Sequence, residues 1–231
     1  MLRSVVVFVI CFGCAVAFAA PLKFFVQDKN IFLNKEDKVI QVTNQGSDRA
    51  LVLSPDYKHV AFIRKSKRVA DDLPAAWEQN EKQSYADEIW IIDVNQEMKP
   101  RLLLSHKTKA PGNEPKGKES IGVVCFDKMA FSPDSKKLYF LTSAWETSCA
   151  VNVVNIDGQG EKYVTDARSL TVIQKGEYKG NLLVGKHKYF IGPGGSYDWV
   201  WMVSPNGEEI GPVEEDEKAV DLEVLESYPE K

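Results

Sequence analysis

The chain has 231 residues, of which 27% are charged, and its formal net charge is −4. This length is sufficient for one sizeable domain with a hydrophobic core. The charge is only mildly acidic and no block of lysine and arginine stands out, so the composition gives no support for a nucleic-acid partner.

The first residues have the pattern of a secretory signal peptide. Arg3 supplies a positive charge, residues 5–17 form an uncharged apolar run, and an Ala-Phe-Ala motif ends at Ala19. We therefore predict that residues 1–19 are removed on export, and that the mature protein is secreted or periplasmic without insertion into a membrane. The alternative is an uncleaved membrane anchor, although a spanning helix needs about 20 apolar residues.

The cysteines suggest one disulfide in the mature protein. Cys11 and Cys14 leave with the predicted signal peptide, so that Cys125 and Cys149 remain. In an oxidising compartment two remaining cysteines favour a bridge, and each flanks a strand-like segment of the same repeat. We predict a Cys125–Cys149 disulfide, and the alternative is two separate buried thiols.

Strand patterns rich in Val, Ile, Phe, Tyr and Trp follow in chain order. One kind of unit consists of an apolar strand, Ser-Pro-Asp, a short polar turn and a second strand, and it occurs at residues 51–65 and 129–143. The proline of each copy fixes a φ that suits a tight turn. The aspartates, Asp56 and Asp134, can bond the turn backbone. We therefore predict hairpin corners in which the aspartates are structural rather than catalytic.

A second kind of unit is an apolar hairpin with a polar turn. Its copies lie at residues 30–43, 89–105, 151–165 and 200–213. Asp157-Gly158 and Asn206-Gly207 are strong turn signals within two of them. The two kinds of unit alternate, and one of each makes a four-stranded sheet of about 45 residues, which is the size of a propeller blade.

The passages SPDYKHVAF with IWIIDV, and AFSPDSKKLYFLTS with VNVVNIDGQGEKYVT, resemble the WD-like repeats of TolB-type β-propellers. The resemblance covers roughly residues 30–165 and extends more weakly to residue 213. It implies an all-β, small β-propeller-like fold of about four blades, with three four-stranded sheets plus an N-terminal hairpin, over residues 20–213. The family's turn glycine is replaced here by Tyr57 and Ser135.

Residues 214–231 form an acidic C-terminal tail, which has helical potential and could equally contribute one strand. This strand, or an N-terminal strand at residues 22–27, could complete a fourth blade. An open propeller would leave bare sheet edges that are prone to pairing. We expect a closed four-bladed ring, an edge covered by the tail, or a homodimer that hides the edge.

Partner-binding residues are predicted among aromatic side chains outside the strands. Trp77 and Tyr85 fall in a long loop at about residues 65–88, and Trp145 falls just past a strand. Because loop aromatics often anchor interfaces, we predict that these three residues contact a protein or an envelope macromolecule. A second long loop, residues 107–118, is rich in lysine.

Catalysis and cofactors find little support in the residue pattern. The histidines have no metal-ligand spacing, and Asp198 stands where a nucleophile elbow around Ser196 would need glycine. No catalytic residue, metal or cofactor is therefore predicted. The sequence favours an exported, non-enzymatic, propeller-like binding protein, and the alternative is a hydrolase or lyase that acts on glycan or peptide at the propeller funnel.

Overall fold

The computed structural model describes most of the chain between Leu22 and Pro229. The described residues are 22–35, 38–69, 85–94, 96–105, 126–144, 148–190, 192 and 194–229. Strands account for 58% of the structure and helices for 6%, and the strands form four antiparallel sheets. This composition confirms the predicted all-β class.

The strands form four sheets, called blades A to D in chain order. Blade A contains β1 (Lys23–Gln27), β2 (Asn30–Lys35) and β3 (Lys38–Gln41). Blade B contains β4 (Asp48–Leu53), β5 (His59–Val69), β6 (Tyr85–Asp93) and β7 (Pro100–Ser105). Blade C contains β8 (Phe126–Phe131), β9 (Lys137–Ala144), β10 (Ser148–Asn155) and β11 (Lys162–Asp166). Blade D contains β12 (Thr171–Val172), β13 (Leu182–Tyr189), β14 (Ser196–Val203) and β15 (Glu209–Glu214).

The predicted units recur as these blades, with one difference at the N-terminus. Three of the sheets have four strands in sequence order, as predicted. The N-terminal sheet has three strands rather than two, because β1 pairs with β2 from Lys23 opposite Asn34 to Gln27 opposite Asn30. The predicted hairpin is therefore extended by the segment that the sequence left as a candidate strand.

The connections between strands lie at two opposite ends of the sheets. In blades B and C a Ser-Pro-Asp corner joins the first strand to the second, and the end that holds these corners is called the corner end. Because neighbouring strands are antiparallel, the turn between the third and fourth strands also lies there. The connections from the second to the third strand, and from the fourth strand to the next blade, lie at the opposite end, called the loop end.

Apolar side chains fill the spaces between successive blades. The A–B interface contains Ile31 and Phe62, the B–C interface Ile89 and Phe140, and the C–D interface Val151 and Val184. All of these side chains are fully buried, and burial of each contributes about 1.5–3 kcal/mol. The first strands are also neighbours, since β8 contacts both β4 and β12. The blades thus stack side by side with their first strands adjacent.

Each Ser-Pro-Asp corner is closed by hydrogen bonds of its own side chains. Ser54 Oγ donates to Asp56 Oδ1 at 2.6 Å, and the backbone N of His59 donates to Ser54 Oγ at 2.9 Å. The second corner repeats both bonds at the same lengths, from Ser132 to Asp134 and from Lys137 to Ser132. The hydrogen bond from Ser132 holds the pKa of Asp134 below its ordinary value. These contacts support the predicted structural role of the two aspartates.

The residue after each corner aspartate has the left-handed backbone that usually selects glycine. Tyr57 has φ +60° and Ser135 has φ +59°. Ser135 offsets part of the strain, because its Oγ accepts a hydrogen bond of 3.1 Å from the backbone N of Asp56 in the neighbouring blade. Tyr57 is 58% exposed and buries little surface in return.

We therefore expect Tyr57→Gly to raise the free energy of unfolding by about 0.5–1 kcal/mol, since glycine adopts this φ without steric cost. The matched substitution, Ser135→Gly, should give a smaller gain or none, because it also removes a hydrogen bond worth about 1 kcal/mol. Urea denaturation of both variants measures the difference. A Tyr57→Gly variant less stable than the parent would contradict the assignment of strain.

The C-terminal segment covers the outer face of blade D. A 3-10 turn at Glu217–Ala219 precedes α1 (Leu222–Ser227), and Asp221 caps this helix by accepting a hydrogen bond of 3.0 Å from the backbone N of Val224. The apolar side chains that pack here are Val220, Leu222 and Leu225 from the segment, and Ile173, Leu183, Val200 and Met202 from the blade. Of the two conformations left open by the sequence, the tail forms a helix, and it covers a sheet face.

Candidate partner-binding surface

The predicted aromatic residues belong to connections at the loop end. Residues 70–84, which include Trp77, connect β5 to β6, and residues 145–147, which include Trp145, connect β9 to β10. Both tryptophans lie outside the described residues. Tyr85 is placed differently from the prediction, because the β5–β6 ladder continues to a pair between Tyr85 and Val69. It is therefore the first residue of a strand rather than part of the loop.

Blade D places a partly exposed aromatic cluster at the same end. β13 ends at Tyr189 and β14 begins at Ser196, so that this hairpin turns at the loop end. The rings of Phe190 and Tyr197 have centroids 5.0 Å apart, and those of Tyr197 and Trp199 are 5.7 Å apart. Phe190 is 58% exposed, whereas Tyr197 and Trp199 are half-buried. Phe190, Tyr197 and Trp199 are called the aromatic cluster below.

Two glycines let the chain reverse beside this cluster. Gly194 and Gly195 have φ +104° and +109°, a region that favours glycine. The backbone N of Phe190 donates to the Gly195 carbonyl at 3.1 Å. A Cβ on Gly195 would lie 3.2 Å from the Phe190 ring. The hairpin therefore holds the Phe190 ring close against its own backbone.

A weakly basic patch adjoins the aromatic cluster. Lys186 lies opposite Trp199 and Lys188 lies opposite Tyr197 in the β13–β14 ladder. Both lysines donate to Glu209 Oε1 at 2.7 Å. Burial alone would raise the pKa of Glu209, but the hydrogen bonds and charges of the two lysines hold it below its ordinary value. Two positive charges therefore share one carboxylate beside the rings.

The other face of the same hairpin carries an exposed charge cluster. Asp198 Oδ1 lies 2.8 Å from His187 Nδ1 and accepts a hydrogen bond of 2.9 Å from Arg168 Nη1. Such solvent-exposed pairs contribute about 0–1 kcal/mol. Ser196 is the first residue of β14, opposite Tyr189, and lacks the strand-to-helix turn of a nucleophile elbow.

Buried charges stiffen the loop end of blade B on the side that faces blade A. Arg64 donates to both carboxylate oxygens of Asp48, at 2.6 and 2.9 Å, and the Asp48 side chain is fully buried. The Arg64 guanidinium lies 4.7 Å from the Trp90 ring centroid. Trp90 Nε1 in turn donates to Glu88 at 2.9 Å. Glu88, which falls at the end of the predicted loop, is thus part of the sheet.

A second pair of charges joins blade B to blade C at the same end. Arg49 Nη2 lies 2.5 Å from Asp87 Oδ2, and the backbone N of Phe126 donates to the same oxygen at 3.1 Å. Arg49 also donates to the Phe126 carbonyl at 3.0 Å. Burial raises the pKa of Asp87 above its ordinary value, and the Arg49 charge opposes this shift only in part. These bonds fix the start of β8 against blade B.

The predicted disulfide falls partly outside the described residues. Cys149 lies on β10, whereas Cys125 immediately precedes β8 and is not described. Phe126 lies opposite Thr142, which lies opposite Ala150, so that β9 separates β8 from β10 at this level. A disulfide needs Cα atoms within about 7 Å, and would therefore require the chain before Phe126 to leave the line of β8. The Cys125–Cys149 bridge stays a prediction.

Metal-binding clusters and membrane-spanning helices are both absent from the described residues. Within the described ranges, no group of three His, Cys, Asp or Glu side chains is placed to hold a metal ion. In the same part of the chain, no helix has the length and apolar character needed to cross a membrane.

Comparison with known proteins identifies a fold but no family. No family model matches the chain, and no curated protein matches it. The tricorn protease is similar with a TM-score of 0.52 and 13% identity, over 81% of this chain and 15% of that chain. A mutant puromycin hydrolase is similar with a TM-score of 0.50 and 11% identity, over 84% of this chain and 29% of that chain. A protein of Agrobacterium tumefaciens assigned as TolB is similar with a TM-score of 0.46 and 14% identity, over 80% of this chain and 58% of that chain.

These similarities define the class of protein. The structural neighbours are β-propeller proteins, and together with the antiparallel sheets of this chain they confirm the predicted propeller-like fold. The chain spans 58% or less of the length of the three structures named above. At such low identities the likeness shows the fold alone. Function has to be argued from the surface.

Proposed function

We propose that this chain is an exported, propeller-like protein that binds another macromolecule, either a protein or an envelope component, through its loop end and without catalysing a reaction. The observation that carries the proposal is the partly exposed aromatic cluster of blade D, with Phe190 as its exposed member. It lies at the same end as the long connections 70–84 and 106–125. Export is supported by the signal-like pattern of residues 1–19.

An exposed aromatic cluster is physically suited to a partner interface. An aromatic ring buries about 150–250 Å² when it is covered, and tyrosine and tryptophan are enriched among the residues that dominate binding energy. The cluster lies on a paired hairpin, so that little conformational freedom remains to be lost on binding. Lys188, which is half-buried and paired with Glu209, is the adjoining positive charge that a carboxylate of the partner could approach.

The sequence-predicted residues belong to connections of the same kind as the hairpin that carries this cluster. Trp77 and Trp145 belong to connections between second and third strands, as does the blade D hairpin. Tyr85 begins the strand that follows the first of these connections. Each of blades B, C and D thus carries aromatic residues in the same topological position. Repeated placement at one end supports a shared binding surface.

We expect the double substitution Phe190→Ala and Tyr197→Ala to weaken partner binding at least about tenfold, because anchor residues of this type each contribute more than 1 kcal/mol. The purified protein is used as bait to capture a partner from an envelope extract of the native host. The dissociation constant of the captured partner is then measured by interferometry for each variant. The matched control is Tyr57→Ala, since Tyr57 is equally exposed at 58% but lies at the corner end.

Two results would contradict the proposal. Equal loss of binding in the Tyr57→Ala control would mean that the loop end has no special role. Turnover of glycan or peptide substrates by the purified protein would instead favour a hydrolase or lyase at the propeller funnel. Replacing residues 70–84 by a glycine-serine linker tests the contribution of Trp77 separately.

A further inference from the structure

The hairpin of blade D extends beyond the other strands of its sheet at the loop end. β12 pairs with β13 as far as Leu183, and β15 pairs with β14 as far as Val200. The β13–β14 ladder continues for four more pairs and ends where Tyr189 lies opposite Ser196, a length of about 13 Å. Among the described strands, this end of the hairpin is therefore a two-stranded ribbon without a neighbour on either side.

The end of this ribbon contains no charged residue. Residues 189–197 read YFIGPGGSY, and Lys188 and Asp198 are the first charged residues on either side. The ladder places Lys188 opposite Tyr197 and Asp198 opposite His187, so the charged residues begin at nearly the same level on both strands. The ribbon thus has an uncharged end on a charged base. Its described residues, 189, 190, 192 and 194–197, are called the hairpin tip.

Aromatic side chains surround the hairpin tip. Tyr189 is 76% exposed, and its ring makes an edge contact with His187 on one face of β13, with centroids 4.9 Å apart. Tyr197 lies on the opposite face of the ribbon, because alternate residues of a strand face opposite ways, and Phe190 packs against it. A protein that docks on the aromatic cluster covers that face alone and leaves Tyr189 in water. A medium that surrounds the tip covers both faces.

The headgroup layer of a lipid bilayer is such a medium. Tyrosine and other amphipathic rings are enriched at this level of membrane proteins, because one end of the ring is apolar and the other can remain wet. Elements that lie in the interface bury their apolar residues about 5–10 Å deep. The turn and the pair between Tyr189 and Ser196 supply about this depth before the first charges begin. The tip therefore matches the interface in chemistry and in length.

The charges at the base of the ribbon are of both signs, so they do not select an anionic surface. Asp198 binds Arg168, and Glu209 binds both Lys186 and Lys188. A further acidic run, residues 214–217, begins where β15 ends opposite Val200. Attraction to anionic lipids needs an excess of lysine and arginine, which this base lacks. The lipid surface that fits is a zwitterionic one.

We propose that the hairpin tip holds the protein at a zwitterionic lipid surface, with Tyr189 and Phe190 in the headgroup layer and the charged base of the ribbon in water. The contact is peripheral, since only the tip leaves water. It narrows the expectation from the sequence, under which no part of the mature protein enters a membrane. The proposal rests on the proposed function, because it uses the same loop end and names the lipid surface as the envelope component that this hairpin contacts.

Vesicles of phosphatidylcholine are the probe, and flotation with the purified protein lacking the predicted signal peptide measures binding. The double substitution Tyr189→Ser and Phe190→Ser should lower the partition coefficient at least about tenfold, because each ring offers about 150–250 Å² for burial. The matched control is Tyr57→Ser, which should leave binding unchanged. Tyr57 is as exposed as Phe190, at 58%, but lies at the corner end. Thermal unfolding checks that each variant keeps its fold.

A second pair of variants tests whether the tip has to be uncharged. Ser196 is exposed in the tip, and Ser196→Asp brings a carboxylate into it, whereas Ser196→Asn has nearly the same shape without a charge. Ser196→Asp should weaken vesicle binding about fivefold, because the carboxylate has to leave water. Ser196→Asn should change binding less than about twofold. Equal effects of the two substitutions would contradict entry of the tip into the headgroup layer.

Salt and lipid charge distinguish the tip from a basic segment. Binding of the parent protein should change less than about threefold when salt is raised to about 1 M, where charges are screened beyond about 3 Å. Adding phosphatidylglycerol to the vesicles should not strengthen binding. Binding that requires phosphatidylglycerol and is lost in salt would overturn the proposal and assign the contact to a basic segment, such as the lysine-rich residues 107–118.

The vesicle result separates this proposal from the proposed function. If the parent protein does not bind vesicles, but a protein captured from the envelope extract binds through Phe190 and Tyr197, the proposed function stands and the lipid assignment is wrong. If neither vesicles nor a captured protein binds, both are wrong. If vesicles bind and Tyr189→Ser alone leaves their binding unchanged, the tip is not surrounded by lipid, and the proposal is again overturned.

Discussion

Replacing Asp48 with alanine is expected to lower the free energy of unfolding by about 3–5 kcal/mol. The Asp48 side chain is fully buried and binds the Arg64 guanidinium through two hydrogen bonds, and the Arg64 side chain is itself only 10% exposed. Removing the carboxylate leaves a buried positive charge against Phe62 and Trp90. Urea denaturation followed by tryptophan fluorescence measures the loss.

Two further variants separate the buried charge from other causes. Asp198→Ala removes a carboxylate that also binds an arginine, but this side chain is 62% exposed, so the loss should be about 0–1 kcal/mol. The double variant with Asp48→Leu and Arg64→Met removes both charges and should recover most of the stability. A double variant as unstable as Asp48→Ala would show that the pair is needed for its geometry and not for charge compensation.

The second large effect is expected at a glycine that touches the neighbouring blade. In Gly207→Ala the new Cβ would lie 2.1 Å from the Val164 carbonyl oxygen, which belongs to the backbone of blade C and cannot rotate away. The φ of +91° at Gly207 adds steric strain for any other residue. We expect a loss of about 3 kcal/mol in the free energy of unfolding.

Gly211 in the next strand is the matched control for this experiment. Its Cβ would meet no atom within 4 Å, so Gly211→Ala should change stability by less than about 0.5 kcal/mol. Thermal and urea unfolding of the two variants should therefore separate them clearly. Similar stabilities of the two variants would mean that blades C and D can move apart at the Gly207 turn without a loss of unfolding free energy.

The repeated corners and hairpins could be predicted because their signals are local. Ser-Pro-Asp specifies a turn through bonds among neighbouring residues, and Asp157-Gly158 and Asn206-Gly207 supply the backbone freedom that their turns use. Gly158 and Gly207 indeed have φ +85° and +91°. Such features depend on a few adjacent residues, so the sequence pattern was sufficient.

The aromatic cluster could not be predicted in the same way, because it depends on register. Phe190 lies before the glycine turn and Tyr197 lies after it, and only the β13–β14 ladder brings their rings together. Trp199 and Trp201 are two residues apart, a spacing that places both indoles on one face of a strand. It did not show that Trp201 packs against the C–D core while Trp199 joins the cluster.

The sequence pattern did not identify the end of β5, the start of β6 or the C-terminal segment that covers blade D, because these stretches contain many charged residues. Asp87 and Glu88 fall in the predicted loop, yet they pair across the sheet with Lys65 and Arg64. Charged residues of β4 bind at this end, Arg49 to Asp87 and Asp48 to Arg64. In the acidic tail, Leu222 and Leu225 are the informative residues. Their partners lie far away along the chain, where no local pattern can identify them.

The glycine turns also determine how far the spacing between two neighbouring blades can change. Gly158 approaches the Leu103 carbonyl of blade B, and Gly207 approaches the Val164 carbonyl of blade C, so main chain rests directly on main chain at these two joints. The equivalent turn of blade B has Met98, whose flexible side chain packs into the A–B core instead. Spacing at the first joint can therefore adapt to changes in side-chain volume, whereas at the later joints it is set by the width of the polypeptide itself.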